Sequence, residues 1–180
     1  MIVLDFETTG LIGADNLPEK KQPRIIEATL AKLDNKSLKE TARESFLVNP
    51  RETISDEVLR ITHIRQSDLA AAKPFEFHFR TFCHMFIGES IMVAHNCKFE
   101  HGLMAFEMSR IGMALLFPWP SRLVCTVEAS GHLLKRRLKL DELYEIVTKK
   151  KRKGAHRTDV DVTDTITCLR WLVKKGAIVI

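Results

Sequence analysis

The four cysteines of this sequence, Cys83, Cys97, Cys125 and Cys168, are scattered and contain no CxxC pair. Neither a disulfide framework nor a zinc ribbon is therefore suggested. No apolar run approaches the about 18–20 residues that a membrane-spanning helix needs. Met1 leads straight into "MIVLD", without a basic leader segment. Internal repeats and low-complexity linkers are also missing. These absences leave a cytoplasmic protein with no membrane partner as the expectation. With 180 residues, one domain spanning 1–180 is expected, large enough to bury a core without staples.

What is present fits that class. Hydrophobic residues make up 45% and charged residues 28% of the chain, as in soluble globular proteins. The net charge is +5, and the basic residues are clustered at Lys135, Arg136 and Arg137 and again from Lys149 to Lys153. Such an excess permits a polyanionic partner, because phosphate contacts are largely electrostatic. A solvated loop explains the same run equally simply. Its position, just before His156, makes it notable.

"MIVLDF" reads as a short buried strand. "PRIIEATLAKLD" and "ETARESFLVNP" are strand-like and separated by the turn-forming "DNKS", which predicts an antiparallel meander. Residues 11–24 read as a loop. "SDEVLR" and the segment Pro74 to Phe86 read as helices, the second with Phe75, Phe79, Phe82 and Phe86 as a core stripe. "SIMVA" predicts a fourth strand. A helix follows Asn96 and ends at Gly112, and further helices fit Thr126 to Leu134, Leu138 to Thr148 and Asp159 to Lys175. The expected fold class is α/β: a mixed central sheet of about five strands, meander first, flanked by helices.

Three polar segments carry the chemistry. In "LDFETTG", Asp5 and Glu7 are two apart on an extended strand and share one face. Two adjacent acids repel unless a cation lies between them, and oxygen-only ligands favour hard ions such as Mg²⁺ or Mn²⁺. "IMVAHNCKFEHG" breaks from an apolar run into Asn96, Phe99 and Glu100. Here Asn96 also fits a helix N-cap, and Glu100 an acid favoured in a first turn. "GAHRTDVDVTDT" places His156 on a loop and Asp161 near a helix start. His156 there can take a proton from water, while Thr158-x-x-Asp161 also fits a capping box.

Taken in order, D-x-E, then H-N-x-x-F-acid, then H-x-x-x-x-D resemble the DEDDh exonucleases. These form the DnaQ-like superfamily that includes the proofreading subunit of bacterial replicative polymerase. "DFETTG", "RIIEATL" and "LKLDELYEIV" extend the resemblance over nearly the whole chain. It implies an RNase H-like fold and 3′→5′ exonuclease activity that releases nucleoside 5′-monophosphates. It also implies two divalent ions, Mg²⁺ or Mn²⁺, held by Asp5, Glu7, Glu100 and Asp161, with His156 as general base. Thr8, Thr9 and Gly10 would lie against the terminal nucleotide, with Ile64 and Phe99 as apolar contacts and Asn96, beside His95, shaping the turn.

Two positions depart from the family pattern. Glu100 stands where relatives carry Asp, adding a methylene and a softer reach to the metal. His63, in "ITHI", stands where relatives usually have Gly, bringing a bulky side chain near the substrate terminus. The implied partner is the 3′ end of single-stranded nucleic acid, DNA before RNA, with a replication or repair polymerase as a possible associate. An exoribonuclease like RNase T or oligoribonuclease is the alternative. A non-catalytic nucleic-acid-binding or polymerase-accessory module is the second. The chain ends soon after its last helix, at "GAIVI", without the C-terminal tail by which some relatives attach to a polymerase, so it is expected to act alone or as a small accessory.

Overall fold

The computed structural model describes residues 1–13, 18–154 and 156–180. Six strands are β1 (Ile2–Thr8), β2 (Ile25–Leu33), β3 (Glu40–Asn49), β4 (Lys73–Pro74), β5 (Ile91–Ala94) and β6 (Arg122–Cys125). Seven α-helices are α1 (Asp56–Thr62), α2 (Gln66–Ala71), α3 (Phe75–Phe86), α4 (Cys97–Arg110), α5 (Thr126–Leu134), α6 (Leu140–Thr148) and α7 (Thr158–Lys174). The strand order is β4-β3-β2-β1-β5-β6. The meander β1–β2–β3 is antiparallel, and β5 and β6 add in parallel beside β1. The expected strands and helices are all found. Three short elements, β4, α2 and β6, lie in stretches too brief to show a period. Among the described residues, no helix is long and apolar enough to cross a membrane.

β1 is buried on both faces because its residues alternate between two cores. Met1 and Val3 join Ile91, Val93, Leu143, Val162, Ile166 and Leu169 under α5, α6 and α7. Ile2, Leu4 and Phe6 join Phe75, Phe82, Phe86, Leu103 and Met104 under α3 and α4. A third, smaller cluster of Ile26, Val58, Ile64 and Leu69 seats α1 and α2. Asp5 and Glu7 continue the Met1–Val3 face towards α7, where the apolar lining ends.

Helix starts follow their sequence signals only in part. Ser55 caps α1, accepting a bond from the Val58 amide at 3.2 Å. Asn96 occupies the N-cap of α4 in a left-handed conformation (φ 80°) and makes no side-chain cap bond. At α7 the cap is Arg157, and the Thr158 hydroxyl pairs with Thr29 at 2.8 Å, so no capping box joins Thr158 to Asp161. Glu107 of α4 accepts from Arg24, Arg110 and the Ile25 amide. It thereby ties the start of β2 to α4.

The Phe stripe of α3 is core, as its spacing predicts. Phe82 is fully buried against Phe6, Phe46 and Phe75. Phe82→Ala is expected to cost about 3–5 kcal/mol, the usual range for emptying a buried aromatic site, measured by urea unfolding.

Candidate active site

Three elements bring the predicted acids together at one end of β1. A bulge in the β1–β2 register between Glu7 and Thr8 re-aims the strand there. The first turns of α7 lie over this end because Glu27, opposite Glu7 on β2, holds their start. Glu27 accepts three bonds from Arg157, the shortest at 2.6 Å, and one from the Thr158 amide at 3.0 Å. Asp161 is thus placed so that a carboxylate oxygen from each of Asp5, Glu7 and Asp161 lies within 4.8 Å of the others.

Glu100 enters from the opposite side, in the first turn of α4, and is 4% exposed. β5 ends at Ala94, level with Leu4 in the register, so no strand covers the Phe6 amide on that side. That amide lies close enough to Glu100 to offset part of the rise in its proton affinity. The Oε2 atom of Glu100 has no hydrogen-bond partner among the described residues.

The four carboxylates crowd one another, and their proton affinities record it. Burial, then repulsion from Asp161, pushes Glu7 from an ordinary value of 4.5 up to about 8. Asp5 is raised well above its usual range by burial, then by Asp161 and Glu7. Glu100 is raised by burial, then by Asp5 and Glu7. Asp161 is raised less, because Arg152 and His156 oppose its burial. Buried, clustered carboxylates of this kind need a compensating cation. The all-oxygen set of Asp5, Glu7 and Asp161, within which Glu100 is not counted, fits a hard divalent ion such as Mg²⁺ or Mn²⁺, and the orphaned oxygen of the neighbouring Glu100 is consistent with one.

Two clefts adjoin the acids. One, of about 330 Å³, is lined by Glu7, Thr8, Thr9 and Gly10 and by Val58, Ile61 and Thr62 of α1. The other, of about 570 Å³, is lined by His95, Asn96, Leu138, Asp141, Arg152, His156 and Asp161. His156 is exposed on the α6–α7 loop with φ 65°. The Thr8 hydroxyl donates to the Gly10 carbonyl at 2.6 Å, and the Thr9 hydroxyl accepts from the Arg24 amide at 3.0 Å, which holds the loop in shape.

His95 is a brace. Its Nε2 lies 3.2 Å from the Leu138 carbonyl, a pure acceptor, so Nδ1 accepts from the Thr126 hydroxyl at 2.8 Å. Burial lowers its pKa to about 4, keeping the ring neutral.

Other predicted residues lie further out. His63 is the exposed left-handed C-cap of α1 (φ 58°), a conformation that favours glycine, and does not line the cleft beside it. Ile64 is buried in the third cluster, where Val58 and Ile61 face the cleft instead. Phe99 packs half-buried against the α3–α4 core.

Glu27 and Arg152 contact the start of α7 and Asp161, which their local sequence does not show. Glu27 was visible as a lone acid inside "RIIEATL". Arg152 belongs to the basic run that reads as a polyanion contact or a solvated loop, but its guanidinium is buried and paired with Asp141, Asp161 and Asp164. Lys149, Lys150, Lys151 and Lys153 of the same run are exposed.

A mixed sheet in this order, with acids at the end of β1 and in the first turns of α4 and α7, defines the RNase H-like exonuclease architecture. The chain belongs to the RNase T exonuclease family, whose model matches residues 2–169. It is 31% identical over 129 residues to a PolC-type DNA polymerase III of Staphylococcus aureus, which covers 72% of this chain. The chain spans only 8% of that polymerase's length. Exonuclease X, solved with 5′-overhanging duplex DNA, superposes with a TM-score of 0.71 at 21% identity, covering 99% of this chain and 93% of its own. The nuclease domain of 3′hExo, a DEDDh family member bound to rAMP, gives 0.75 at 16% identity, with 98% and 92% covered.

The raised acids set a pH dependence. The Glu7 proton is held up to about pH 8 in the folded chain but only to about 4.5 once unfolded. This contribution to stability is therefore complete below about pH 4.5 and is lost as pH rises through about 8. In EDTA the melting temperature is expected to fall between pH 6 and 8.5. Added Mn²⁺ is expected to raise it more at pH 8.5 than at pH 6, read by differential scanning fluorimetry, because metal binding needs the deprotonated ligands.

Proposed function

We propose that this chain is a 3′→5′ exonuclease of the DEDDh type, with Glu100 in the third acidic place. It removes nucleoside 5′-monophosphates from the 3′ end of single-stranded DNA. The observation that carries this reading is the approach of Asp5, Glu7 and Asp161 to within 4.8 Å of one another beside an exposed His156, with buried Glu100 near enough to feel their charge and one of its oxygens unpartnered. Asp5, Glu7, Glu100 and Asp161 would hold two Mg²⁺ or Mn²⁺ ions. When bound, these polarise the scissile phosphate and steady the charge on the attacking and leaving oxygens.

The chain's own groups do the rest. His156 accepts the proton of the attacking water as its oxygen bonds to phosphorus and the bond to the 3′ oxygen breaks. The Thr8–Gly10 loop supports the terminal nucleotide, and Val58 and Ile61 give it an apolar wall. Glu27 and Arg157 hold the start of α7, keeping Asp161 and the His156 loop in register with β1.

DNA is favoured because the PolC-type relative is a DNA polymerase, and its much longer chain supports a polymerase as the partner that presents the 3′ end. The neighbour bound to rAMP supports an RNA substrate as the second reading.

The assay is degradation of 3′-free and 3′-blocked oligonucleotides. Metal-dependent loss of only the free single strand is expected, with kcat/KM higher on DNA than on RNA of equal sequence. Asp5→Ala is expected to lower it by about 10²–10³-fold, the effect of losing several kcal/mol of charge stabilisation. Faster RNA cleavage would establish the exoribonuclease alternative. Tight binding without cleavage, with Glu100→Asp restoring it, would establish a non-catalytic module.

The exposed lysines 149, 150, 151 and 153 complete this reading as an electrostatic lead-in for the strand. Changing all four to Gln is expected to raise KM and flatten its salt dependence while kcat holds. An unchanged salt slope returns them to a solvated loop.

A further inference from the structure

Arg152 has no part in the hydrolysis described above, yet its guanidinium is buried against the same acids. Its side chain is 5% exposed and spans three aspartates. Nε donates to Asp164 at 2.6 Å, Nη1 to Asp141 at 2.5 Å, and Nη2 to Asp161. Asp141 opens α6, and Asp161 and Asp164 lie in the first turns of α7, so the one side chain of Arg152 bridges both helices. Asp161 and Asp164 are themselves buried, 8% and 7% exposed. Their spacing of three residues puts both on one helix face. The planar guanidinium suits several carboxylates at once and stays charged throughout the accessible pH range.

We propose that Arg152 is the resting counter-ion of Asp161 and competes with divalent cations for that carboxylate. This inference rests on the metal-dependent reading of the site and adds a setting for it: the cation concentration at which the site fills. The argument is one of charge. A guanidinium bonded to one oxygen of Asp161 repels a cation drawn to the same group, and burial leaves little water to screen the two. The protein also supplies Arg152 with somewhere to stay. When a cation takes Asp161, Asp141 and Asp164 still hold the guanidinium, so no buried charge is left unpaired. The exchange takes place on the loop that carries His156, four residues further on. Cation occupancy and the placement of the base are thereby linked.

A merely orienting arginine makes the opposite prediction, since its loss would leave Asp161 misaligned and weaken cation binding. The test is calorimetric titration of Mn²⁺ into EDTA-stripped protein, without substrate. R152Q is expected to bind the weaker Mn²⁺ about tenfold more tightly, the equivalent of one pKa unit of like-charge repulsion relieved. D164N frees Arg152 to rest more fully on Asp161 and is expected to weaken that binding. Its effect is expected to vanish in the R152Q background, since the coupling runs through Arg152.

Unchanged or weaker Mn²⁺ binding by R152Q overturns the proposal. So does a D164N effect that persists without Arg152, because plain loss of negative charge then explains it. If R152Q does not fold, R152K, which loses the fork, decides: tighter binding than wild type supports competition, and equal or weaker binding overturns it. If Mn²⁺ binds neither the wild type nor the variant, this inference and the metal site fall together. If Mn²⁺ binds as described but no strand is cut, the exonuclease reading falls and the competition stands.

Discussion

The repulsion among four buried carboxylates is the constraint around which this molecule is built. Asp5, Glu7, Glu100 and Asp161 come from three separate elements; Asp161 raises the proton affinity of Asp5, Glu7 and Glu100, and Asp5 and Glu7 add to that of Glu100. Left to itself such a cluster would open into water. It is held by cores on both faces of β1, whose alternating residues anchor α3 and α4 on one side and α5 to α7 on the other. Stability of the apolar layers is what keeps the polar end strained.

The supporting contacts are themselves polar and specific. Glu27 fixes the N-terminus of α7, His95 braces the α5–α6 connection as a neutral ring, and Arg152 meets the acids from the loop side. These groups divide the labour between positioning and charge compensation. Breaking the Glu27 contact would shift Asp161 without touching it. Such positioning by a second layer is how a metal or catalytic site holds its geometry to fractions of an ångström.

Much of this was legible in the sequence, for physical reasons. Strand alternation exposed the shared face of Asp5 and Glu7, and the break after "IMVA" marked the turn that carries Glu100. The Phe spacing of α3 showed a core stripe. What escaped depended on long-range partners. Arg152 belongs to a basic run whose other members are exposed, and only the approach of α6 and α7 turns it inward. Ile64 and His63 sit beside the expected apolar contact, but beyond the left-handed cap at His63 the chain carries Ile64 into the core, and Val58 and Ile61 of α1 line the cleft. The pairing of Thr158 with Thr29, across 129 residues, displaced a local capping pattern that the sequence alone made reasonable.

The central claim is that Glu7, crowded by its neighbouring acids, holds a proton in the cation-free site and surrenders it when a cation binds. Counting the protons released when Mn²⁺ binds tests it most directly, by calorimetry at pH 7 in buffers of different ionisation enthalpy. With Glu7 raised to about 8, binding is expected to expel about one proton per protein. Heat independent of buffer, with Mn²⁺ bound and no proton released, would contradict it.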